Sequence, residues 1–158
     1  MKRIVVIIAA LLLSTISVFA QSGKSIYQKY SDAEGVSAVY ISPAMFRLMG
    51  GIPDLNAEIG DLSPIIQSLT GLYLISSENP SINAALKADA EAFVQRGHYE
   101  LLMEAKDSGE CVRMYTTGTD ETVSGFIMIA DEGDEMTFIY LDGKMNREDL
   151  DNILAEAM

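Results

Sequence analysis

The sequence predicts an α+β domain of two layers: a largely antiparallel or mixed sheet of about six strands, with helices packed mainly on one face. Three observations carry that expectation. In the first half, short runs rich in β-branched and aromatic residues alternate with helix signals. In the second half, four such runs follow one another through short turns. Between the halves, the stretch from Pro80 to Arg96 keeps the three-and-four spacing of an amphipathic helix.

Taken in order, a short polar lead-in gives way to "GVSAVYIS" (35–42), whose composition is that of a strand. Ser42-Pro43 then supplies a cap and a first-turn proline for a helix with Met45, Phe46 and Met49 on one side, ending at Gly50-Gly51. The next stretch, "GIPDLNAEIGDLSPIIQSL", reads as a loop and a short helix opened by Ser63-Pro64, with Ile65, Ile66 and Leu69 as its apolar face. "LYLISS" (72–77) is a second strand. Asn79-Pro80 caps the long helix, which sets Ile82, Leu86, Ala90 and Phe93 on one face and Lys87, Asp89, Glu91 and Gln95 on the other, with Gly97 as its stop.

After His98 the period changes to two. "YELLMEAK" alternates Tyr99, Leu101, Met103 and Ala105 against Glu100, Leu102, Glu104 and Lys106, as a strand with one buried face does. Asp107-Ser108-Gly109 turns the chain into "CVRMYTT"; "FIMIA", apolar on both faces, is expected at the sheet's centre, and "MTFIYL" pairs back on it. These four strands make an antiparallel meander. Asp142-Gly143 ends the last of them, and Asn146 caps a final helix with Leu150, Ile153, Leu154 and Ala157 as its inward stripe. The pattern leaves open which edge of the meander receives the first two strands.

"MKRIVVIIAALLLSTISVFA" (1–20) has two leading cations, an apolar run and a small-residue end, which is the form of a secretory signal peptide cleaved near Ala20-Gln21. Ser14, Thr15 and Ser17 interrupt the run where a membrane anchor would continue it. The expectation is a single α+β domain over 21–158, exported to the periplasm or beyond the cell and soluble, without stable membrane insertion. A single cysteine, Cys111, rules out an internal disulfide and a lipidated residue at the cleavage site; it is expected to be a buried, inert strand residue. Losing Lys2 and Arg3 with the leader moves the formal charge from -12 to about -14, which argues against nucleic acid and anionic lipid as partners.

The acidic knot "DEGDE" (131–135) fails the calcium-loop template, because the third position from Asp131 is Gly133 and the sixth is Met136. It reads as a hairpin tip whose acids keep an apolar hairpin from pairing with other chains. One histidine, His98, cannot build a zinc site, and no serine, Ser76 and Ser77 included, sits in a nucleophile elbow. With 23 acidic residues, carboxylate pairs are inevitable and identify nothing. No metal site, cofactor or catalytic residue is assigned. Met45, Met49, Met103, Met114 and Met128 are expected to fill the core. Tyr27 and Tyr30 precede the first strand, where packing does not obviously require them; they either pack on the sheet's edge or form an exposed aromatic contact patch, and are assigned to the latter.

The stretches "IYQKYSDAEGVSAVYISPAMFRLM", "YELLMEAKDSGECVRMY" and "FIYLDGKMNREDLDNI" resemble the domain of unknown function 4252 family, small exported proteins of Bacteroidetes, from about Ile26 to Ile153. The resemblance implies an exported domain and assigns no activity or catalytic residue. Some members look like lipoproteins with a Cys at the cleavage site; Gln21 departs from that pattern.

The expected function is a non-enzymatic binding or interaction module of the cell envelope, whose partner is an envelope protein or a small ligand, with homo-oligomerisation open. Two rival functions make different structural demands. A small hydrolase acting on peptide or glycan needs convergent carboxylates or His98 in a cleft. A carrier of a small apolar ligand needs an internal cavity lined by residues such as Phe46, Met49 and Phe93.

Overall fold

The computed structural model describes residues 22–49 and 63–149. The segment expected to be a signal peptide, the Gly50-Gly51 stop, the loop that follows it and the inward stripe of the final helix lie outside the described residues. The elements are α1 (Gly23–Tyr30), β1 (Val36–Ile41), α2 (Pro43–Met49), α3 (Ser63–Ser68), β2 (Leu69–Ser77), α4 (Pro80–Arg96), β3 (Glu100–Asp107), β4 (Glu110–Gly118), β5 (Thr122–Asp131) and β6 (Met136–Asn146).

The six strands form one open sheet in the order β1-β2-β6-β5-β4-β3, with every neighbouring pair antiparallel. The meander of β3 to β6 stands as expected, and the β1–β2 unit joins it at β6, where Tyr73 faces Tyr140 and Ile75 faces Phe138. The expected α+β class is the architecture observed: α1 and α4 lie together over β2 and β6, α4 reaches β5, and the short helices α2 and α3 lie against β2 and β6. Between the layers sit Ile26 and Tyr30 of α1, Leu86, Ala90, Phe93 and Val94 of α4, and the alternate strand residues Ile75, Ile127, Ile129, Met136, Phe138 and Tyr140. Both faces of β2, β5 and β6 are apolar, but only one lies under α1 and α4.

Local signals place the long helix as the sequence demands. The Asn79 Oδ1 accepts from the Ser81 N–H at 3.1 Å, and the Gly97 N–H closes on the Phe93 carbonyl at 3.0 Å. Asn146 likewise accepts from the Glu148 N–H at 3.2 Å, starting the last helix at its predicted cap.

Four expectations require correction. The polar lead-in is the helix α1: Ser22 caps it by accepting from the Ser25 N–H at 3.3 Å, and Ile26 and Tyr30, one turn apart, bury its inner side. Leu69 does not belong to α3 but opens β2. β6 passes through Asp142-Gly143 to Asn146, because a register shift absorbs the irregularity; a Cβ at Gly143 would stand 2.9 Å from the Ser68 carbonyl, so glycine permits the close approach of β2. Finally, β3 has no buried face. It is the outermost strand, all eight of its residues are exposed, and a bulge between Leu101 and Met103 breaks the alternation.

α1 meets the sheet through Gly23, where a Cβ would lie 1.9 Å from the Tyr140 ring. Gly23→Ala is therefore expected to lower stability by about 1–3 kcal/mol, read as a lower urea midpoint with an unchanged far-UV spectrum; an unaltered midpoint would mean that α1 does not seat on Tyr140.

Candidate functional site: an aromatic cleft and an open sheet face

Two surfaces emerge from this arrangement. The first is a cleft between α1 and the edge strand β1. Tyr40 of β1 stacks on Tyr73 of β2 with ring centroids 5.0 Å apart and planes 23° apart, and Tyr27 of α1 closes the third side at 5.6 Å from Tyr73 and 6.3 Å from Tyr40. With Lys24 and Gln28 at its rim, the cleft encloses about 200 Å³. Below it the aromatic series runs on through Tyr140, 6.1 Å from Tyr73, to Phe93, 5.5 Å from Tyr140. Tyr73 is buried and Tyr40 is 48% exposed, so the series passes from core to surface at this point.

Electrostatics hold α1 beside the strand. The Asp89 carboxylate of α4 pairs with the Lys29 ammonium at 2.6 Å and accepts from the Tyr30 hydroxyl at 2.6 Å. Burial pushes the Asp89 carboxyl up, yet the Lys29 and Tyr30 bonds outweigh it and hold the group below the ordinary aspartate range. Burial and the same Asp89 bond push the Tyr30 hydroxyl up. The two tyrosines of the expected patch are thus placed differently: Tyr27 is half-buried in the cleft wall, while Tyr30, 5% exposed, lies in the core and acts through Asp89. Tyr40 and Tyr73, unmarked in the sequence among ordinary strand residues, complete the cleft; their two-residue alternation with β1 and β2 partners was the available signal.

The second surface is the sheet face turned away from α1 and α4. Register places Val39, Leu74, Ile139, Met128, Met114 and Met103 in one row across all six strands, and Ile41, Leu72, Leu141 and Phe126 in a second row beside it. The inner members are half-buried, and the outer ones, Val39 and Met103, are 46% and 47% exposed. Met114 and Met128 therefore lie on this face, and Met103 and Met45 are exposed, instead of filling the core. A strand pattern fixes two faces without saying which one the helices cover.

The remaining candidates separate. "DEGDE" forms the β5–β6 hairpin tip: Glu132 donates to the Glu135 carbonyl at 2.9 Å, and Gly133 takes a φ of +86°. α4 ties the tip down, with Lys87 pairing to Asp131 at 2.6 Å and the Asn83 amide donating to the Asp134 carbonyl at 2.8 Å. The Lys87 bond holds the Asp131 carboxyl below its ordinary range. Ser76 bonds Glu135, and Ser77 is buried, accepting from the Asn79 N–H. His98 is exposed in the left-handed region at φ +52° beyond the far end of α4, whose 17 residues span roughly 25 Å. His98 thus stands a helix length from Ser76 and Ser77. Phe93 fills the helix–sheet space against Phe138 and Tyr140, while Phe46 is buried outside that cluster, so the residues named for a carrier cavity do not line one space. Cys111 lies at the start of β4 and is half-buried, not buried as expected. Among the described residues no group of three His, Cys, Asp or Glu side chains is placed to hold a metal ion, and no helix is long and apolar enough to cross a membrane.

An open six-stranded antiparallel sheet with α1 and α4 across one face defines the chain as an α+β domain, and among the described residues the second face keeps its two apolar rows beyond the reach of those two helices. Its family is shown as well: the model of the domain of unknown function DUF4252 matches residues 30–153, and the chain belongs to that family. No curated protein and no solved structure matches it.

Asp89 carries a pH dependence with a definite sign. Its folded carboxyl titrates below the unfolded one, so its stabilisation is present above about pH 4 and fades as pH falls through the lower folded value. Asp89→Asn is expected to cost about 1–2 kcal/mol at pH 6 and less at pH 3, measured by urea unfolding at both; equal losses at the two pH values would remove the ion pair from the account.

Proposed function

We propose that this chain is an exported, non-enzymatic interaction module of the cell envelope, and that the open sheet face is where a second protein docks. The observation that carries the proposal is the six-residue row from Val39 to Met103, apolar at every position and ending in exposed side chains at both edges. An apolar face of that breadth on a strongly acidic chain supports contact with another protein, since isolated surface apolar residues need no explanation but contiguous ones do. Export rests on the leader pattern of residues 1–20, and the acidity supports a partner with a neutral or cationic rim.

Ile139→Asp, at the centre of the row, is the direct test. The mature variant is expected to stay folded, with a melting temperature within a few degrees of the parent, because a half-open site lets the carboxylate keep its water. In native mass spectra of protein drawn gently from its own envelope, the parent should carry a second polypeptide and the variant should not. An unfolded variant would show that the face is internal to the chain, and partner retention by a folded variant would exclude this face.

A further inference from the structure

The two edges of the sheet are built differently. β3 carries Glu100, Glu104, Lys106 and Asp107 and a bulge, the usual protections of an exposed edge against pairing with another chain. β1, "VSAVYI", has no charge, no proline and an unbroken register with β2. Its outward backbone groups follow from one bond. The Glu78 N–H donates to the Gly35 carbonyl at 3.2 Å, so 35 and 78 are a hydrogen-bonded pair, and antiparallel alternation makes 37/76, 39/74 and 41/72 the next ones. The backbone groups of 36, 38 and 40 therefore point away from β2. The Val36 N–H is taken by the Ala33 carbonyl at 3.3 Å, and among the described residues this leaves Ala38 and Tyr40 presenting both N–H and C=O outward. Immediately beside them, on the helix side, opens the cleft of Tyr27, Tyr40 and Tyr73 with Lys24 at its rim.

We infer that β1 binds an extended peptide segment of a partner protein by strand addition, with one apolar side chain of the peptide seated in the tyrosine cleft and a neighbouring carboxylate meeting Lys24. The inference rests on the interaction-module reading but uses a different surface from the open face. Main-chain bonds at Ala38 and Tyr40 supply affinity without sequence preference, and the cleft beside the strand supplies the preference, as in other strand-addition sites. Size selects the anchor: whole small-molecule sites run to about 300–1,000 Å³, and about 200 Å³ suits a single side chain. Walls made of three tyrosine rings suit an aliphatic or aromatic anchor. Lys24 has no ion-pair partner among the described residues, in a chain of formal charge -12, so the cleft rim is a cationic spot that selects an acidic neighbour to the anchor.

The test is selection of a displayed library of random ten-residue peptides on the mature protein, followed by affinity measurement with the enriched peptides. Ala38→Pro removes an outward N–H that makes no bond within the sheet and is therefore compatible with an edge strand; Tyr27→Ala opens the cleft without touching the backbone. The enriched peptides are expected to share an apolar anchor with Asp or Glu beside it, and to bind about tenfold or more weakly to each of those variants and to Lys24→Glu. Amide exchange at Ala38 and Tyr40 should slow in the complex, and Ile139→Asp should leave the affinity unchanged. Peptides that bind Ala38→Pro and Tyr27→Ala as well as the parent, or a selection yielding no peptide that the parent prefers over Tyr27→Ala, would overturn strand addition at β1. Loss of peptide binding in Ile139→Asp alone would assign the peptides to the open face and likewise overturn it, leaving the interaction reading intact.

Discussion

Tyr73 facing Tyr140 and Ile75 facing Phe138 make the β2–β6 ladder the joint on which this fold depends. It is the one strand pairing, among the described residues, between the β1–β2 unit and the four-strand meander. The chain leaves the seam at Ser77 and returns to it at Met136, so the pairing carries a long loop closure, whose cost grows only slowly with length. Burial offsets that cost: α1 and α4 both lie across the seam, and Ile75, Leu86 and Phe138 lose all contact with solvent there. The same seam lays the floor of the aromatic cleft, since Tyr73 stacks on Tyr140 at one side and on Tyr40 at the other.

Three of the chain's carboxylates tie its elements together. Asp89 holds α1 to α4 through Lys29 and Tyr30, Asp131 holds the β5–β6 tip to α4 through Lys87, and Glu104 links β3 to β4 through Arg113 at 2.7 Å. Each of these carboxyls is held below its ordinary range, the last by Lys106 and Arg113 together. Exposed pairs of this kind contribute little to stability individually. Their value here is positional, because Asp89 fixes the helix whose Tyr27 forms one wall of the cleft, and Glu104 adds charge to the edge that lies farthest from it.

That asymmetry ties the fold to the proposed role. A sheet with two open edges risks pairing with other chains, and charge with a bulge guards β3 alone. At β1, an uncharged strand lies beside a helix that leaves room for one side chain. Among the described residues, the opposite sheet face adds a second apolar surface away from α1 and α4. The proposed interaction module needs such surfaces on a rigid support, and the seam between β2 and β6 provides it.

By itself, the sequence determined whatever is written within a few residues. Caps at Asn79 and Asn146, the stop at Gly97, the spacing of Leu86, Ala90 and Phe93, and the turn that makes "DEGDE" a hairpin tip all depend on local geometry. Expectation failed where neighbours distant in sequence decide. Alternation in "YELLMEAK" promised a buried face, but burial needs a covering layer, and β3 lies at the edge farthest from β1. The lead-in "SGKSIYQKYS" has too few apolar residues to announce a helix; α1 exists because Ile26 and Tyr30 find a sheet and Asp89 to rest on. Tyr27 was legible as a surface aromatic, but only the β1–β2–β6 register brings Tyr40 and Tyr73 to it. Tertiary structure alone decided the order of the strands, the face that α1 and α4 cover and which strands lie at the edges, because each depends on contacts between residues far apart in the chain, which no local period encodes.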